Sequence, residues 1–368
     1  MKLSISGKNL DTYINKQLQE FCFKQLQGKS GSVVVMNVNT GGIVSLVSSP
    51  SFDINEFSYG IREDSWNRLK NDPMKPLLNK SISGLYSPGS TFKLIVALLA
   101  LNEIGFNPNQ KFFCNGHLFL ADHKFHCWKR KGHGLMDLSS AIEESCDCYF
   151  YNLANSIEID KLAEISNIFS IGQKTGVDLP NELGGLMPNK KWKNEKKGDI
   201  WHLGETYNAV IGQGFTLSTP LQIATMISRI AAGKKIKPSI LRKTRTFEKL
   251  NIPLEHLNFV RKSMYNVVND YKGTAFSSKL KNNKYQMAGK TGTSQVRRIS
   301  LLERESGVLE NQELPYNLRD HSIFAGYAPF DNPRLAISVI LEHHGSGSKF
   351  AAPFAKKVID FALKKNIS

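Results

Sequence analysis

The 368-residue chain lacks any apolar run long enough to cross a lipid bilayer. Its most apolar stretch covers residues 94–101, far fewer than the roughly 20 residues that a spanning helix needs. This stretch is therefore predicted to be a buried helix. Internal repeats and low-complexity tracts are also missing, which excludes solenoid and fibrous architectures. With 41% hydrophobic residues, the chain has enough apolar side chains for a sizeable core.

A concentrated basic segment is missing as well, although the net charge is +16. The 48 lysine and arginine residues exceed the 32 acidic residues, but they are scattered in pairs and one triplet along the chain. Nucleic-acid readers usually combine a basic stripe with aromatic platforms or a recognisable motif. The sequence shows neither feature, so it predicts a basic solvated surface and no nucleic-acid partner.

Cysteine is scarce, and five cysteines in a chain of this length exclude a disulfide-rich scaffold. Three of them lie near a histidine in the sequence: the set is Cys114, Cys127, His133 and Cys146, at intervals of 13, 6 and 13 positions. Thiolate and imidazole are ligands that Zn²⁺ favours in closed tetrahedral sites. The intervals differ from the usual C-x-x-C pattern. The residues alone therefore leave a structural zinc site, a Cys114–Cys127 disulfide and unconnected thiols as alternatives.

Strand patterns lie at both ends of the chain, and helical patterns fill the middle. The predicted strands are 1–6, 32–38, 43–48, 285–289, 321–328 and 335–341. Helices are predicted over 9–27 and 353–365 near the two ends, and over 91–104. This order predicts an α+β fold in which one antiparallel, five-stranded sheet from both chain ends is covered by the terminal helices. A mostly helical insertion separates the two groups of strands.

We expect a single domain over residues 1–368, with two subregions. Residues 1–50 and 285–368 are expected to form a sheet lobe, and residues 90–270 a mainly helical lobe. A long charged connection over 294–318 separates two predicted strands, and loops of this length are usually functional or mobile.

The segment 86–93, Tyr-Ser-Pro-Gly-Ser-Thr-Phe-Lys, puts a serine where a loop enters the apolar helix. Lys93 follows Ser90 by three positions, so the two side chains share one helical face. A serine hydroxyl needs a base beside it to act as a nucleophile, and a desolvated lysine is one such base. An isolated S-x-x-K is weak, because an ordinary N-capped helix explains it equally well.

Two further motifs follow in order. Ser145-Cys146-Asp147 comes after a predicted helix over 138–144, and Lys290-Thr291-Gly292-Thr293 comes at the end of a predicted strand. S-x-x-K, S-D-N and K-T-G are the signature set of class A β-lactamases and penicillin-binding proteins. Each motif alone fits a helix cap, a solvated turn or a strand-edge lysine. Their order, spacing and context together indicate one catalytic site.

Segments outside the motifs extend this resemblance over nearly the whole chain. They are 31–52, Ile211-Gly212-Gln213-Gly214, Thr219-Pro220-Leu221-Gln222, 324–329 and Ala351-Ala352-Pro353. The chain resembles the transpeptidase domain of class B penicillin-binding proteins. Asp147 and the Cys/His segment are similar to the elongation-specific branch. The resemblance implies the penicillin-binding protein/serine β-lactamase-like fold and a peptidoglycan D,D-transpeptidase that binds penicillin covalently.

The resemblance also implies roles for the matched residues. Ser90 would attack the carbonyl between two terminal D-alanines, and Lys93 would take its proton. Ser145 would help to protonate the departing D-alanine, and Asp147 would hold Lys93. The substrate's terminal carboxylate and acyl chain would be bound by Lys290, Thr291, Gly292 and Thr293. This chemistry needs no metal or organic cofactor.

Several further expectations rest on the resemblance alone. Elongation-type relatives have a structural zinc site in the Cys/His segment, which favours zinc at Cys114, Cys127, His133 and Cys146. The implied ligands and partners are stem peptides, β-lactams, a SEDS-class glycan polymerase and the elongation complex. The implied location is the periplasmic face of the bacterial inner membrane. Relatives carry an N-terminal membrane anchor and a pedestal domain, which this chain is expected to lack.

Other functions remain alternatives at this stage. A β-lactamase would share the three motifs but would need a carboxylate base on an E-x-x-L-N loop, and no such loop occurs between Ser145 and Lys290. A D,D-carboxypeptidase and a catalytically silent cell-wall interaction domain are the other two candidates.

Overall fold

The computed structural model describes residues 7–297, 299, 303 and 309–367. The α-helices of this part of the chain are α1 Lys16–Leu26, α2 Asn55–Ser58, α3 Glu63–Asn71, α4 Lys80–Ser83, α5 Lys93–Glu103, α6 Leu138–Glu143, α7 Asp147–Ala154, α8 Ile159–Ile168, α9 Lys190–Lys197, α10 Leu203–Val210, α11 Pro220–Ala232, α12 Leu254–Asn269 and α13 Ala351–Lys364. The strands are β1 Gly31–Asn37, β2 Ile43–Ser49, β3 Phe112–Cys114, β4 His117–Leu120, β5 His123–His126, β6 Gly134–Met136, β7 Ala288–Ser294, β8 His321–Ala328 and β9 Leu335–Leu341. The strand predicted over 1–6 lies outside the described residues.

The main sheet has five strands in the order β2-β1-β9-β8-β7, and every neighbouring pair is antiparallel. Strands from the start of the chain thus pair directly with strands from its end, as Gly31 opposite Leu341 illustrates. This arrangement confirms the predicted α+β fold. The central strand β9 is buried along its whole length, which agrees with its continuous apolar sequence.

Both faces of the sheet are covered by helices. On β1, Val33 and Val35 belong to the larger apolar core, together with Leu18 of α1, whereas Val34 and Met36 belong to a second core, together with Leu221 of α11. Side chains alternate between the two faces of a strand, so α1 and α11 lie on opposite sides. Helix α13 packs beside α1 through Phe21 and Phe361, whose rings stack at 4.1 Å.

Three predicted boundaries were wrong. The first helix begins at Lys16 rather than near residue 9, because Asn15 caps it by accepting from the Leu18 amide. The helix predicted over 91–104 is preceded by a 3₁₀ turn, Gly89–Phe92, and its α-helical part begins at Lys93. The strand predicted over 285–289 is Ala288–Ser294, because a 3₁₀ turn occupies Asn283–Tyr285. The Lys-Thr-Gly-Thr motif therefore lies inside a strand.

The segment between α5 and α6 was predicted as helix and loop, and it instead contains two small antiparallel sheets, β3-β6 and β4-β5. These strands are three or four residues long, too short for an alternating pattern to emerge from the sequence. No helix in the described part of the chain is long and apolar enough to span a membrane.

Candidate active site

Ser90 lies on the 3₁₀ turn that leads into α5, and the turn packs directly against β7. Gly89 makes this approach possible. It has a φ of +55°, and a Cβ atom there would lie 2.6 Å from the carbonyl oxygen of Thr293. Its amide donates to the carbonyl of Gly212 at 2.9 Å. Only glycine fits such a position. Because Gly89 has no side chain, the adjacent Ser90 can lie close to β7.

Lys93 is fully buried at the start of α5. Its Nζ donates to three acceptors: the carbonyl of Ser145 at 3.0 Å, the Ser145 hydroxyl at 3.4 Å and Asp147 Oδ1 at 2.6 Å. An ammonium group has three donors, so the contacts use its full capacity. The structure therefore brings the motif of Lys93 and the Ser145-Cys146-Asp147 motif together around one amine. Ser145 and Asp147 follow Lys93 by 52 and 54 positions in the sequence.

Ser145 connects α6 to α7 in a left-handed conformation, with a φ of +60°. This conformation is uncommon for a residue with a side chain and marks strained positions in functional sites. Trp128 supports the turn: its indole N–H donates to the carbonyl of Ser145 at 3.0 Å, and its amide donates to Asp147 Oδ2 at 2.9 Å. Burial raises the pKa of Asp147, while the charge of Lys93 opposes the increase.

The third motif supplies the strand beside this cluster. Lys290 is fully buried, and burial lowers its pKa well below the usual value; the nearby Lys93 lowers it further. The hydroxyls of Thr291 and Thr274 are 2.7 Å apart, and Gln213 Nε2 donates to the Thr293 carbonyl at 2.9 Å. A Cβ atom on Gly292 would lie 3.1 Å from the carbonyl of Pro88, so glycine permits the close packing of strand and turn.

The Cys/His set forms a second polar cluster next to the first. One ligand atom from each of Cys114, Cys127, His133 and Cys146 lies within 4.8 Å of the others. His133 Nδ1 is 3.6 Å from Cys114 Sγ and 3.5 Å from Cys127 Sγ. Tetrahedral zinc with its usual bond lengths places ligand atoms about 3.3 to 3.8 Å apart. The three cysteines of the set are free of disulfides. The residues therefore fit a zinc ion.

The sulfur chemistry of this cluster also suits a cation. A hydrogen bond with Cys146 lowers the pKa of Cys114 to about 5, with His133 contributing, and Cys146 likewise lowers the pKa of Cys127. The same hydrogen bonds, with burial, raise the pKa of Cys146. The lowered pKa values of Cys114 and Cys127 favour their thiolate forms, which are the forms that bind metal ions.

A direct contact joins the two clusters. The amide of Asp147 donates to Cys127 Sγ at 3.3 Å, so one residue contacts Lys93 through its side chain and the sulfur cluster through its backbone. Trp128 lines two open recesses, of about 680 and 490 Å³. Thr274 lines the smaller one and Arg319 the larger.

The sequence analysis missed three residues that complete the site. Trp128, Gln213 and Thr274 each contact one of the catalytic motifs, as described above. Gln213 lies in a segment that was recognised by resemblance but was given no role. Trp128 and Thr274 carry no local signal, because only the folding of distant segments brings them to the motifs.

The site combines a serine on a 3₁₀ turn, a buried lysine at the start of α5 and a Lys-Thr-Gly strand that packs against the turn. The family described as the penicillin binding protein transpeptidase domain matches residues 31–360. The chain belongs to this family.

Two curated relatives are named peptidoglycan D,D-transpeptidase MrdA. The protein from Haemophilus influenzae is 35% identical, over 99% of this chain and 58% of the relative. The protein from Acinetobacter baumannii is 38% identical, over 98% of this chain and 55% of the relative. The chain thus spans a little more than half the length of these relatives.

Two solved structures share the fold closely. PBP2 from Helicobacter pylori in complex with MreC has a TM-score of 0.88 at 32% identity, over 96% of this chain and 64% of that one. PBP2 from Pseudomonas aeruginosa in complex with WCK 5153 has a TM-score of 0.87 at 34% identity, over 98% of this chain and 79% of that one.

Proposed function

We propose that the chain is a peptidoglycan D,D-transpeptidase that acts in cell elongation and is acylated by penicillin. The observation that carries this proposal is the buried amine of Lys93, within hydrogen-bonding distance of Ser145 and Asp147 and one helical turn after Ser90. The names of the relatives support it, since those proteins are peptidoglycan D,D-transpeptidases.

In the proposed first half-reaction, Ser90 Oγ bonds to the carbonyl carbon between two terminal D-alanines. Lys93 takes the hydroxyl proton as the general base. The C–N bond then breaks, and the proton passes from Lys93 through Ser145 to the departing D-alanine. Asp147 keeps Lys93 and Ser145 in place throughout.

In the second half-reaction, the amine of another stem peptide attacks the acyl-enzyme. Its proton passes to Lys93, the C–Oγ bond breaks, and Ser90 regains a proton. The oxyanion of both steps would be bound by the backbone N–H groups of Ser90 and Thr293. Removal of one such donor typically raises the barrier by about 3 kcal/mol.

Recognition of the terminal carboxylate is proposed for β7. Lys290 and the hydroxyls of Thr291 and Thr293 would bind it, and Gly292 would leave room for the acyl chain along the strand edge. Carboxylates form strong charge-assisted hydrogen bonds with ammonium groups. The stem peptide would then extend into the recesses beside Trp128.

Labelling with a fluorescent penicillin tests the proposal. The purified chain is incubated with the probe and digested, and the labelled peptide is identified by mass spectrometry. Long-lived label on Ser90 is expected. Rapid loss of the label would identify a β-lactamase-type hydrolase, and absence of label would identify a silent domain. Release of D-alanine without cross-linked product would identify a carboxypeptidase.

We also propose that Cys114, Cys127, His133 and Cys146 hold a structural Zn²⁺ ion. The close ligand atoms and the lowered pKa values of two thiols support this proposal. The bound ion would keep the segment from β3 to β6 attached to Cys146, beside Ser145 and Asp147. Elemental analysis of protein purified without chelator is expected to give about one zinc per chain. Absence of metal together with a mapped Cys114–Cys127 bridge would refute the site.

The biological setting is inferred by similarity. We propose that residues 1–368 form one transpeptidase domain, with a sheet lobe (1–50 and 285–368) and a helical lobe (90–270). We place it at the periplasmic face of the inner membrane, in an elongation complex that includes a SEDS-class glycan polymerase. The Helicobacter pylori relative, solved in complex with MreC, supports such a complex. Co-purification of the native protein with a polymerase from solubilised membranes tests this setting.

A further inference from the structure

Tyr86 lies four residues before Ser90, and both its backbone and its ring are held in place. Its amide donates to the carbonyl of Ser218 at 3.0 Å, and its carbonyl accepts from the Ser218 amide at 2.8 Å. The ring packs over Gly84, where a Cβ atom would lie 2.7 Å from the phenol oxygen. The rings of Tyr86 and His321 pack edge to face, with 5.4 Å between their centroids. Tyr86 is therefore fixed to both the helical region and the sheet.

The phenol of Tyr86 reaches a carboxylate at the end of the central strand. Its hydroxyl donates to Glu342 Oε1 at 2.7 Å, while the hydroxyl of Ser30 donates to Oε2. The Glu342 amide donates to the Ser30 carbonyl at 2.8 Å. Burial, and then the charge of Glu342, raise the pKa of Tyr86 well above its usual value, so the phenol remains a donor. Hydrogen bonds to a charged acceptor are stronger than neutral ones.

The chain between Tyr86 and Ser90 has little conformational freedom. Pro88 has a fixed φ, and Gly89 has a left-handed φ and touches the carbonyl of Thr293. After Ser90, the chain enters α5, which is buried from Lys93 through residue 101. A shift of Tyr86 is therefore transmitted to Ser90 rather than absorbed on the way.

Glu342 leads into a loop that packs on the substrate-binding strand. In this loop, a Cβ atom on Gly347 would lie 2.3 Å from the carbonyl oxygens of both Gly292 and Ile323. The Tyr86–Glu342 hydrogen bond thus connects the segment that supports the nucleophile with the segment that covers β7, across 256 positions of sequence.

We propose that Tyr86 and Glu342 are positioning residues that set the location of Ser90 relative to β7. The pair acts through Ser90 and not on the substrate. This inference rests on the proposed function, because it concerns the rate at which Ser90 becomes acylated.

The Tyr86→Phe variant tests the inference, because it removes the hydroxyl and keeps the ring. Stopped-flow acylation by a fluorescent penicillin separates the dissociation constant of the first complex from the acylation rate constant. We expect the rate constant to fall about 10-fold, because a small misplacement of reacting groups slows a positioned reaction strongly. The dissociation constant is expected to stay within about twofold, because the groups that bind the probe are unchanged.

Glu342→Gln is the conservative partner variant, because it keeps one acceptor oxygen for Tyr86 and loses the charge and the second acceptor oxygen. Its acylation rate constant is expected between those of wild type and Tyr86→Phe. The double variant is expected to be no slower than Tyr86→Phe alone, since both changes break one contact. If Tyr86→Phe does not fold, Glu342→Gln decides the question alone.

Tyr207→Phe is the matched control. Tyr207 is equally buried, and its hydroxyl donates to Asn155 Oδ1 at 2.8 Å, within the helical region. This variant is expected to lose stability but to keep the wild-type acylation rate constant. A merely structural role for Tyr86 would give the same result as Tyr207→Phe.

The outcomes separate the two proposals. If wild-type protein is labelled and the Tyr86 and Glu342 variants acylate at the wild-type rate, the positioning inference is wrong and the proposed function stands. Independent, additive losses in the double variant would also overturn the inference. If wild-type protein takes no label, the proposed function is wrong and the positioning inference falls with it.

Discussion

Two buried polar clusters meet in the Ser145-Cys146-Asp147 segment. They differ in the partners that satisfy their polar atoms. Around Lys93, all three donors of the amine have acceptors within the protein. Protein groups alone therefore supply all three acceptors of the Lys93 amine. Around Cys146, three sulfurs and a histidine nitrogen lie within 4.8 Å of one another. The pKa values of Cys114 and Cys127 are lowered, and hydrogen bonds with these two thiols outweigh burial and raise the pKa of His133. The second cluster is proposed to hold a metal ion, which a chelator could remove without any change of sequence.

We therefore predict that acylation depends on the cluster around Lys93. The order of the β3 to β6 segment is predicted to depend on the cluster around Cys146. Four substitutions test this division, and they follow in order of decreasing effect on acylation.

Ser90→Ala should abolish both cross-linking and penicillin labelling, because it removes the proposed nucleophile on the turn that leads into α5. Zinc content should be the same as in wild type, since Ser90 is not part of the sulfur cluster. The measurements are labelling stoichiometry by mass spectrometry and zinc by elemental analysis. Stoichiometric labelling of the variant would show that another residue is the nucleophile.

Lys93→Ala should lower the acylation rate constant by about 100-fold or more, the size of effect expected for loss of a general base. The fold should persist, which circular dichroism can verify, although Asp147 loses its charged partner. Acylation of this variant at the wild-type rate would mean that some other group takes the proton. A loss of bound zinc would show that the two clusters are one cooperative unit.

Lys290→Ala should slow acylation by peptide substrates and by penicillin alike, because both carry the carboxylate that β7 is proposed to bind. Loss of a charge-assisted hydrogen bond predicts a decrease of about 10- to 100-fold. Lys24→Ala, on the exposed surface of α1, is a control that removes the same charge far from β7. A decrease with peptide alone would indicate that the strand recognises another feature of the substrate.

Cys146→Ser should have the smallest effect on acylation, about 10-fold or less, and the largest effect on metal content. Without the metal, the β3 to β6 segment should loosen, and Trp128 should hold Ser145 and Asp147 less firmly. Limited proteolysis and zinc analysis measure these changes. Cys22→Ala removes another buried cysteine, in α1, and should leave zinc content unchanged. A Cys146→Ser variant with wild-type zinc content would mean that Cys146 is not a ligand.

Sequence reasoning located the main elements of the fold and the three motifs because each has a local pattern. The buried strands β8 and β9 are mostly apolar, and α5 is an apolar helix behind a Pro-Gly-Ser turn. The boundaries were less accurate where a cap or a 3₁₀ turn decided them, as at Asn15 and at Asn283–Tyr285. The short strands of the Cys/His segment were missed because three or four residues are too few for an alternating pattern to emerge.

The amino-acid sequence by itself determined which residue types are available for chemistry and in what order. The amino-acid sequence shows directly a serine before an apolar helix, a lysine three positions later and a Lys-Thr-Gly strand. Tertiary structure alone decided the rest. It placed the Lys93 amine at three acceptors, the Asp147 amide on Cys127 and the Tyr86 phenol on Glu342. These contacts join positions 20 to 256 residues apart, so they form only when separate segments of the chain pack together.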